Sequence, residues 1–231
     1  MVFYGDSGAR ERHPAEVIAI PQRKGHFAYR AWLDAVRRFP GYDGYVLLMD
    51  DLLLNDSILC QFPRNVCWFD VQPPFPRFSL RDSPVRKCQW PWYSKPCGLD
   101  ASRRVLERLS SEDRKTFTAR VGGAESMCFV WSDFFYIPRK LVSHALQIFS
   151  VCSDEELFLE IAIPLTLLVI SNPKEWAIAR VKFLCEDAER LQWPDYLNDS
   201  SIDGVHPVKL SRPYERAVVS KFRGLPQKYA V

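Results

Sequence analysis

The sequence predicts an α/β protein with a mostly parallel central sheet flanked by helices. Short apolar runs that are typical of strands alternate with segments of helical periodicity along the chain. Residues 44–49 form a continuous apolar run, as in central strands buried on both faces. The 231 residues, of which 47 % are hydrophobic and 26 % charged, are enough for one domain with a full core. We therefore expect a single domain spanning residues 1–231.

The first half of this fold is predicted from three strands and one helix. Residues 2–5 and 16–21 are apolar and β-branched enough to be strands. Residues 27–39 place apolar side chains on one helical face and end at Pro40-Gly41. The strand 44–49 follows. Because almost nothing precedes the first strand, the sequence leaves open that the domain is truncated at its N-terminus.

The second half contains more helix and two irregular regions. Residues 60–100 are rich in Pro, Trp and Cys and predict a long loop region with short strands. A buried strand, interrupted at Ser132-Asp133, is predicted over residues 128–137. Residues 194–231 are predicted to be an irregular C-terminal segment. Helices are predicted at 100–120, 141–151, 154–169 and 175–191.

The composition limits the classes of partner that the sequence indicates. The formal charge of +3 and the absence of any long basic run give no indication of nucleic-acid binding. No apolar run reaches the length of a membrane span. None of the seven cysteines forms a CxxC pair; Cys88 and Cys97 are candidates for a disulfide or, equally, for free thiols. Sequons at Asn55 and Asn198 are weak indications of a secreted glycoprotein.

The most informative feature is the acid pair Asp50-Asp51 directly after the strand 44–49. In open α/β sheets ligands bind beyond the carboxyl ends of strands. Two carboxylates there can hold a divalent cation against a pyrophosphate, because a hard cation prefers oxygen ligands and neutralises phosphate charge. The alternative is a strand-end turn in which one of the two acids caps a following helix.

Residues 44–55 resemble the acidic strand-end motif of metal-dependent glycosyltransferases of the GT-A fold, whose usual form is Asp-x-Asp. The resemblance implies that Asp51 ligates Mn²⁺ (or Mg²⁺) and that Asp50 contacts a nucleotide-sugar donor. Met49 departs from the motif, since many members have a first Asp at that position.

Two further segments are similar to parts of the same fold. Residues 124–138 resemble the strand that seats the sugar and acceptor, which implies a nucleotide-sugar contact for Asp133. Residues 154–162 resemble the acidic helix start that contacts acceptor hydroxyls and supplies the base of inverting members. Glu156 and Glu160 are the catalytic candidates there, with Glu155 to one side. The alternative is that these acids decorate the positive first turn of a helix.

A third segment, residues 205–211, resembles the C-terminal return of GT-A enzymes. The resemblance implies that His206 completes the metal site and that Lys209 meets the leaving diphosphate. Imidazole is a good ligand for transition metals and a lysine ammonium is a point charge for phosphate. The alternative for a lone His-Pro is a surface turn.

The resemblance implies transfer of a sugar from a metal-bound nucleoside-diphosphate sugar, with UDP-sugars favoured, to a hydroxyl of a glycan, lipid or protein. It also implies a location in the lumen of the secretory pathway, in the Golgi. A catalytically silent relative that acts as a binding module is the alternative, favoured by Met49 and by the short beginning. A sugar-nucleotidyltransferase is a third reading, but no Gly-rich phosphate loop is present.

Overall fold

The structure is a computed structural model that describes residues 3–5, 17–23, 25–54, 61–81, 92–184, 195–196, 199 and 201–207. Within these residues the protein is α/β, as predicted. The described residues form five α-helices: α1 (Tyr29–Arg38), α2 (Leu99–Arg108), α3 (Ser111–Val121), α4 (Arg139–Asp154) and α5 (Leu159–Ile170). The strands are β1 (Phe3–Gly5), β2 (Val17–Ala19), β3 (Gly44–Leu48), β4 (Leu53–Leu54), β5 (Trp68–Phe69), β6 (Arg77–Ser79), β7 (Ser126–Cys128), β8 (Phe134–Pro138), β9 (Ala177–Ile178), β10 (Val181–Phe183) and β11 (Gly204–His206).

The chain divides into two compact units, although the sequence predicts one domain. The first unit comprises Met1–Leu47 and Pro63–Ile178, and the second comprises Leu48–Phe62 and Ala179–Val231. We describe each unit by itself.

The first unit is built on a four-stranded sheet of order β3-β8-β5-β9. Strand β5 pairs antiparallel with β8, which sets Trp68 opposite Tyr136, and parallel with β9. Helices α1, α4 and α5 pack together beside the sheet, and the rings of Tyr29 and Phe149 stack at 5.3 Å between their centroids. Burial of these aromatic rings supplies a large part of the unit's hydrophobic stabilisation.

A mostly parallel sheet is not confirmed. The pairs β1–β2, β5–β9 and β10–β11 are parallel, whereas β4–β11, β5–β8 and β6–β7 are antiparallel. Strand β3 was expected at the centre of the sheet, but among the described strands it lies at one edge of the four-stranded sheet. Its side chains accordingly alternate, with Leu47 buried and Val46 44 % exposed.

Three predicted helices differ from the observed elements. The segment 100–120 is two helices, because Ser110 adopts an extended conformation and its hydroxyl caps α3 by accepting the Asp113 N–H at 3.0 Å. The segment 154–169 begins its helix only at Leu159, since Glu156 has a left-handed backbone with φ of 53°. The segment 175–191 forms β9 and β10 up to residue 184, and residues 185–191 lie outside the description.

The irregular regions predicted from composition are described only in part. Residues 61–81 of the predicted loop region carry the short strands β5 and β6, while residues 82–91 lie outside the description. The C-terminal segment is described at 195–196, 199 and 201–207, where it forms β11. Within the described part of the chain, no helix has the length and apolarity needed to cross a membrane.

The second unit has a three-stranded sheet of order β10-β11-β4. The buried carboxylate of Asp203 fixes the start of β11. It accepts the main-chain N–H of Arg180 at 2.7 Å and two guanidinium N–H groups of the same residue at 2.6 and 3.1 Å. The Asp203 N–H donates in return to the Arg180 carbonyl. This reciprocal arrangement sets the alignment of β11 beside β10.

Candidate functional site

The acid pair lies in a tight turn at the end of β3. The Leu52 N–H donates to the Met49 carbonyl at 3.3 Å, which places Asp50 and Asp51 at the two middle positions. The turn leads into β4, so neither acid caps a directly following helix. Asp50 is exposed, whereas Asp51 is half-buried.

Strand pairing in the second unit brings His206 to Asp51. Strand β11 runs antiparallel to β4, with Val205 opposite Leu53. One step further along this register, His206 reaches the position beside the acid turn. Its Nε2 lies 3.2 Å from the Asp51 Oδ1. The structure therefore brings together the two residues for which the sequence predicts a metal site.

Gly204 permits this close pairing. A Cβ atom at position 204 would lie 2.6 Å from the Leu54 Cδ2 and 2.8 Å from the Leu53 carbonyl oxygen. Both distances are below normal van der Waals contact, and one of them involves main chain. Glycine is thus required where β11 passes β4 two residues before the histidine.

Strand β10 and the residue after it contact both the side chain and the main chain of His206. The ring of Phe183, on the neighbouring strand β10, meets it edge-on at 5.7 Å between centroids. The His206 carbonyl accepts the Leu184 N–H at 2.7 Å. The side chains of His206 and Asp51 are 16 % and 17 % exposed, so the pair is largely sheltered from solvent.

The donor set fits a divalent cation. Two ligand atoms on adjacent corners of an octahedral ion, each about 2.1 Å from it, lie about 3 Å apart. The observed 3.2 Å between Nε2 and Oδ1 matches that spacing and also matches a hydrogen bond between the two groups. A carboxylate suits Mg²⁺ or Mn²⁺, and an imidazole favours the transition metal. Of the other predicted donor-site residues, Lys209 lies outside the described residues.

Asp133, in the first unit, is held by a second acid that the sequence analysis missed. Asp70 follows β5 and Asp133 precedes β8, so the antiparallel pairing of these strands brings both to one edge of the sheet. The Asp133 N–H donates to the Asp70 Oδ2 at 3.0 Å. Asp70 is 4 % exposed, and its Oδ1 has no hydrogen-bond partner within the described part of the chain.

Burial and the neighbouring Asp133 carboxylate raise the pKa of Asp70 well above its ordinary range. Desolvation is the larger cause, because a buried carboxylate loses the water that stabilises its charge. The burial of Asp70 therefore favours its neutral, protonated form. Its role toward Asp133 is structural positioning through the main chain.

The three glutamates of the acidic segment 154–162 have different surroundings. Glu156 is held by the Arg23 guanidinium through contacts of 2.5 and 2.8 Å, and both residues have a left-handed backbone. Glu155 is engaged by Arg104 and Arg108. Glu160 is half-buried in the first turn of α5, and its carbonyl accepts the Val130 N–H at 2.9 Å. Of the two catalytic candidates, Glu160 therefore lies beside the segment that carries Asp133.

The Pro-, Trp- and Cys-rich region 60–100 contains residues that are used in packing and others that lie outside the description. Trp92 stacks on Phe158 at 4.6 Å between ring centroids and meets His26 at 4.4 Å. Trp90 and Cys88 are not among the described residues. Cys97 carries a free thiol.

Comparisons of this chain with models of protein families, with curated proteins and with solved structures find no match.

Proposed function

We propose that this chain is the catalytic part of a metal-dependent glycosyltransferase of the GT-A type. The observation that carries the proposal is the 3.2 Å approach of His206 to Asp51, 155 residues away in sequence. Asp51 lies in the acid turn that follows strand β3, and His206 is the last residue of strand β11. The resemblance to GT-A enzymes implies this placement of the two residues. The proposal also includes the GT-A-like central sheet that the resemblance implies.

In this proposal Asp51 and His206 hold Mn²⁺, with Mg²⁺ as the weaker fit. When bound, the cation supplies positive charge that stabilises the diphosphate of a nucleotide-sugar as it leaves. Asp50, exposed in the same turn, is the donor contact. Lys209 is proposed for the leaving diphosphate, and Asp133 for the donor sugar. The resemblance favours a UDP-sugar.

The reaction is transfer of a glycosyl group to a hydroxyl of a glycan, lipid or protein. The acceptor oxygen forms a bond to the anomeric carbon while the bond from that carbon to the diphosphate oxygen breaks. The nucleoside diphosphate leaves with the electron pair. In an inverting mechanism Glu160 accepts the hydroxyl proton as general base. Glu160 is preferred to Glu156 because its carbonyl accepts the Val130 N–H, which places it beside the segment that carries Asp133. A location in the Golgi lumen is part of the same proposal and rests on the resemblance alone.

Thermal unfolding with Mn²⁺ and a panel of nucleoside diphosphates tests the proposal. A ligand that binds only the folded state raises the unfolding temperature. We expect a metal-dependent rise for one nucleotide that is lost in Asp51→Ala and kept in Asp43→Ala, the same change at an exposed acid before β3. If no nucleotide stabilises the wild-type protein, the donor site does not exist, and the alternative of a catalytically silent binding module, favoured by Met49, replaces the enzyme.

A further inference from the structure

A cleft of about 270 Å³ opens on the surface of the first unit, beside the start of α4 and the end of α5. Lys140, in the first turn of α4, and Arg120, near the end of α3, both line it. Asn172 lines it after the end of α5, and the buried Cys67 lines it from the residue before β5. Two cationic side chains that share one cleft make it a candidate site for an anion.

The guanidinium of Arg120 is fixed in place before any ligand binds. Its Nη1 donates to the carbonyls of Leu168, Val169 (3.2 Å) and Ser171 (2.8 Å), at the end of α5. Arg120 makes no other hydrogen bond within the described part of the chain, so the N–H groups of Nε and Nη2 remain for a ligand. Partial burial lowers the pKa of Arg120 below its ordinary value. A guanidinium that has lost water without gaining an ion pair is stabilised by a bound anion.

Lys140 and Asn172 bring further donors to the same cleft. The exposed Lys140 has no hydrogen bond or ion pair among the described residues. The Asn172 Oδ1 accepts the Lys174 N–H at 3.2 Å, so the NH₂ group of that amide remains as a donor. Glu175 is the only acid among the described lining residues, and it forms no ion pair with either cation there. Two cations and one carboxylate leave the lining with a positive formal charge.

We propose that this cleft binds a small phosphate ester, with Arg120, Lys140 and Asn172 as its hydrogen-bond donors. A phosphate ester carries about two negative charges and presents three strong acceptor oxygens. The planar guanidinium matches the geometry of phosphate oxygens, and the lysine ammonium adds a point charge. At about 30 Å³ for each water-sized group, the cleft has room for the phosphate and for a few carbon atoms beside it.

The cleft is separate from the residues proposed for sugar transfer in the first unit. Asp133 precedes β8 and Lys140 follows it, so they lie at opposite ends of that strand. In the same way Asp70 follows β5, whereas Cys67 precedes it. The phosphate site therefore requires no metal ion and goes beyond the proposed function, which it neither needs nor supports.

Titration of the ¹⁵N-labelled protein, followed by two-dimensional NMR at constant ionic strength and without Mn²⁺, tests the proposal. The probes are glycerol 3-phosphate, inorganic phosphate and, as a neutral control, glycerol. The reporters are the main-chain N–H groups of residues 140 and 141 and the indole N–H of Trp176, all of which belong to lining residues. We expect saturable shifts at millimolar concentrations of glycerol 3-phosphate, weaker binding of inorganic phosphate and no shift with glycerol. Failure of both phosphates to shift these signals would overturn the proposal.

Three variants separate binding in the cleft from general attraction of anions. Lys140→Gln removes a charge that has no partner in the fold, so it should keep the structure and weaken binding about tenfold. Lys115→Gln, the same change at another exposed lysine, should bind as the wild type does. Glu175→Gln removes the repelling carboxylate and should tighten binding about fivefold. Equal losses in the two lysine variants, or unchanged binding in Lys140→Gln, would show that the cleft is not the site.

Discussion

His206 lies with its Nε2 3.2 Å from the Oδ1 of Asp51, across the antiparallel pair of β11 and β4. The contact depends on register, because a shift of one residue would turn the histidine to the opposite face of the sheet. The distance between His206 and Asp51 therefore depends on how these two short strands pack together. Variants that disturb the strand pairing should act on metal binding without touching either ligand.

Gly204→Ala tests this dependence. The new methyl group would collide with Leu54 and with the main chain at Leu53. We expect β11 to move away from β4, with Mn²⁺ affinity reduced about tenfold or more, as is typical when a positioning group is lost. Isothermal titration of Mn²⁺ measures the effect, and Ser201→Ala, an exposed change shortly before β11, serves as the control. Unchanged affinity in Gly204→Ala would show that the pairing of the strands does not set the site.

Asp70 is expected to behave as an uncharged residue. Because its pKa is raised in the folded protein, the unfolded chain releases the proton first as pH rises. The free energy of unfolding should therefore decrease with pH from about pH 4, the ordinary pKa of an aspartic acid, until Asp70 itself ionises. In Asp70→Asn this contribution is absent, so the stability of the variant relative to wild type should increase with pH.

Urea unfolding of the wild type and of Asp70→Asn between pH 4 and pH 8 measures this difference in stability.

The variant Asp70→Ala tests whether Asp70 positions the main chain at Asp133. The amide of Asn can still accept the Asp133 N–H, whereas Ala leaves that group without its acceptor. Hydrogen exchange at the Asp133 amide should be accelerated in Asp70→Ala and close to wild type in Asp70→Asn. A stability difference between Asn and wild type that stays constant with pH would mean that Asp70 is charged in the folded protein.

The two glutamates are expected to contribute unequally to turnover. Glu160→Gln should lower kcat about 100-fold or more if it removes a general base. Glu156→Gln should affect kcat much less and act mainly on stability, because it weakens the ion pair with Arg23. Steady-state kinetics with the donor identified by thermal shift decides between them. A larger loss of kcat in Glu156→Gln would exchange their roles.

The proximity of Asp51 and His206 was predictable because the sequence signals at both positions are local. An acid pair directly after an apolar strand indicates a sheet-edge site, and a C-terminal His fits the same motif. Helices α1 and α4 were also predicted near their observed bounds, since their apolar periodicity is clear. In these cases the local pattern and the tertiary packing agree.

The features that the sequence analysis missed or predicted wrongly all depend on pairing between segments that are distant in the sequence. Asp70 is one acid in an irregular stretch, and only the pairing of β5 with β8 gives it a role. Residues 177–183 have helical periodicity, but β9 and β10 are strands because they pair with β5 and β11.

Binding of Mn²⁺ followed by electron paramagnetic resonance is the most direct test of the central claim that Asp51 and His206 form a metal site. Free aqueous Mn²⁺ gives a sharp six-line signal that diminishes on binding. We predict that the wild-type protein and Asp50→Asn bind one ion with similar affinity. Asp51→Asn and His206→Ala should each lose at least about tenfold, or about 1.4 kcal/mol. Equal Mn²⁺ affinity in all four proteins, or no binding by the wild type with or without nucleotide, would contradict the account.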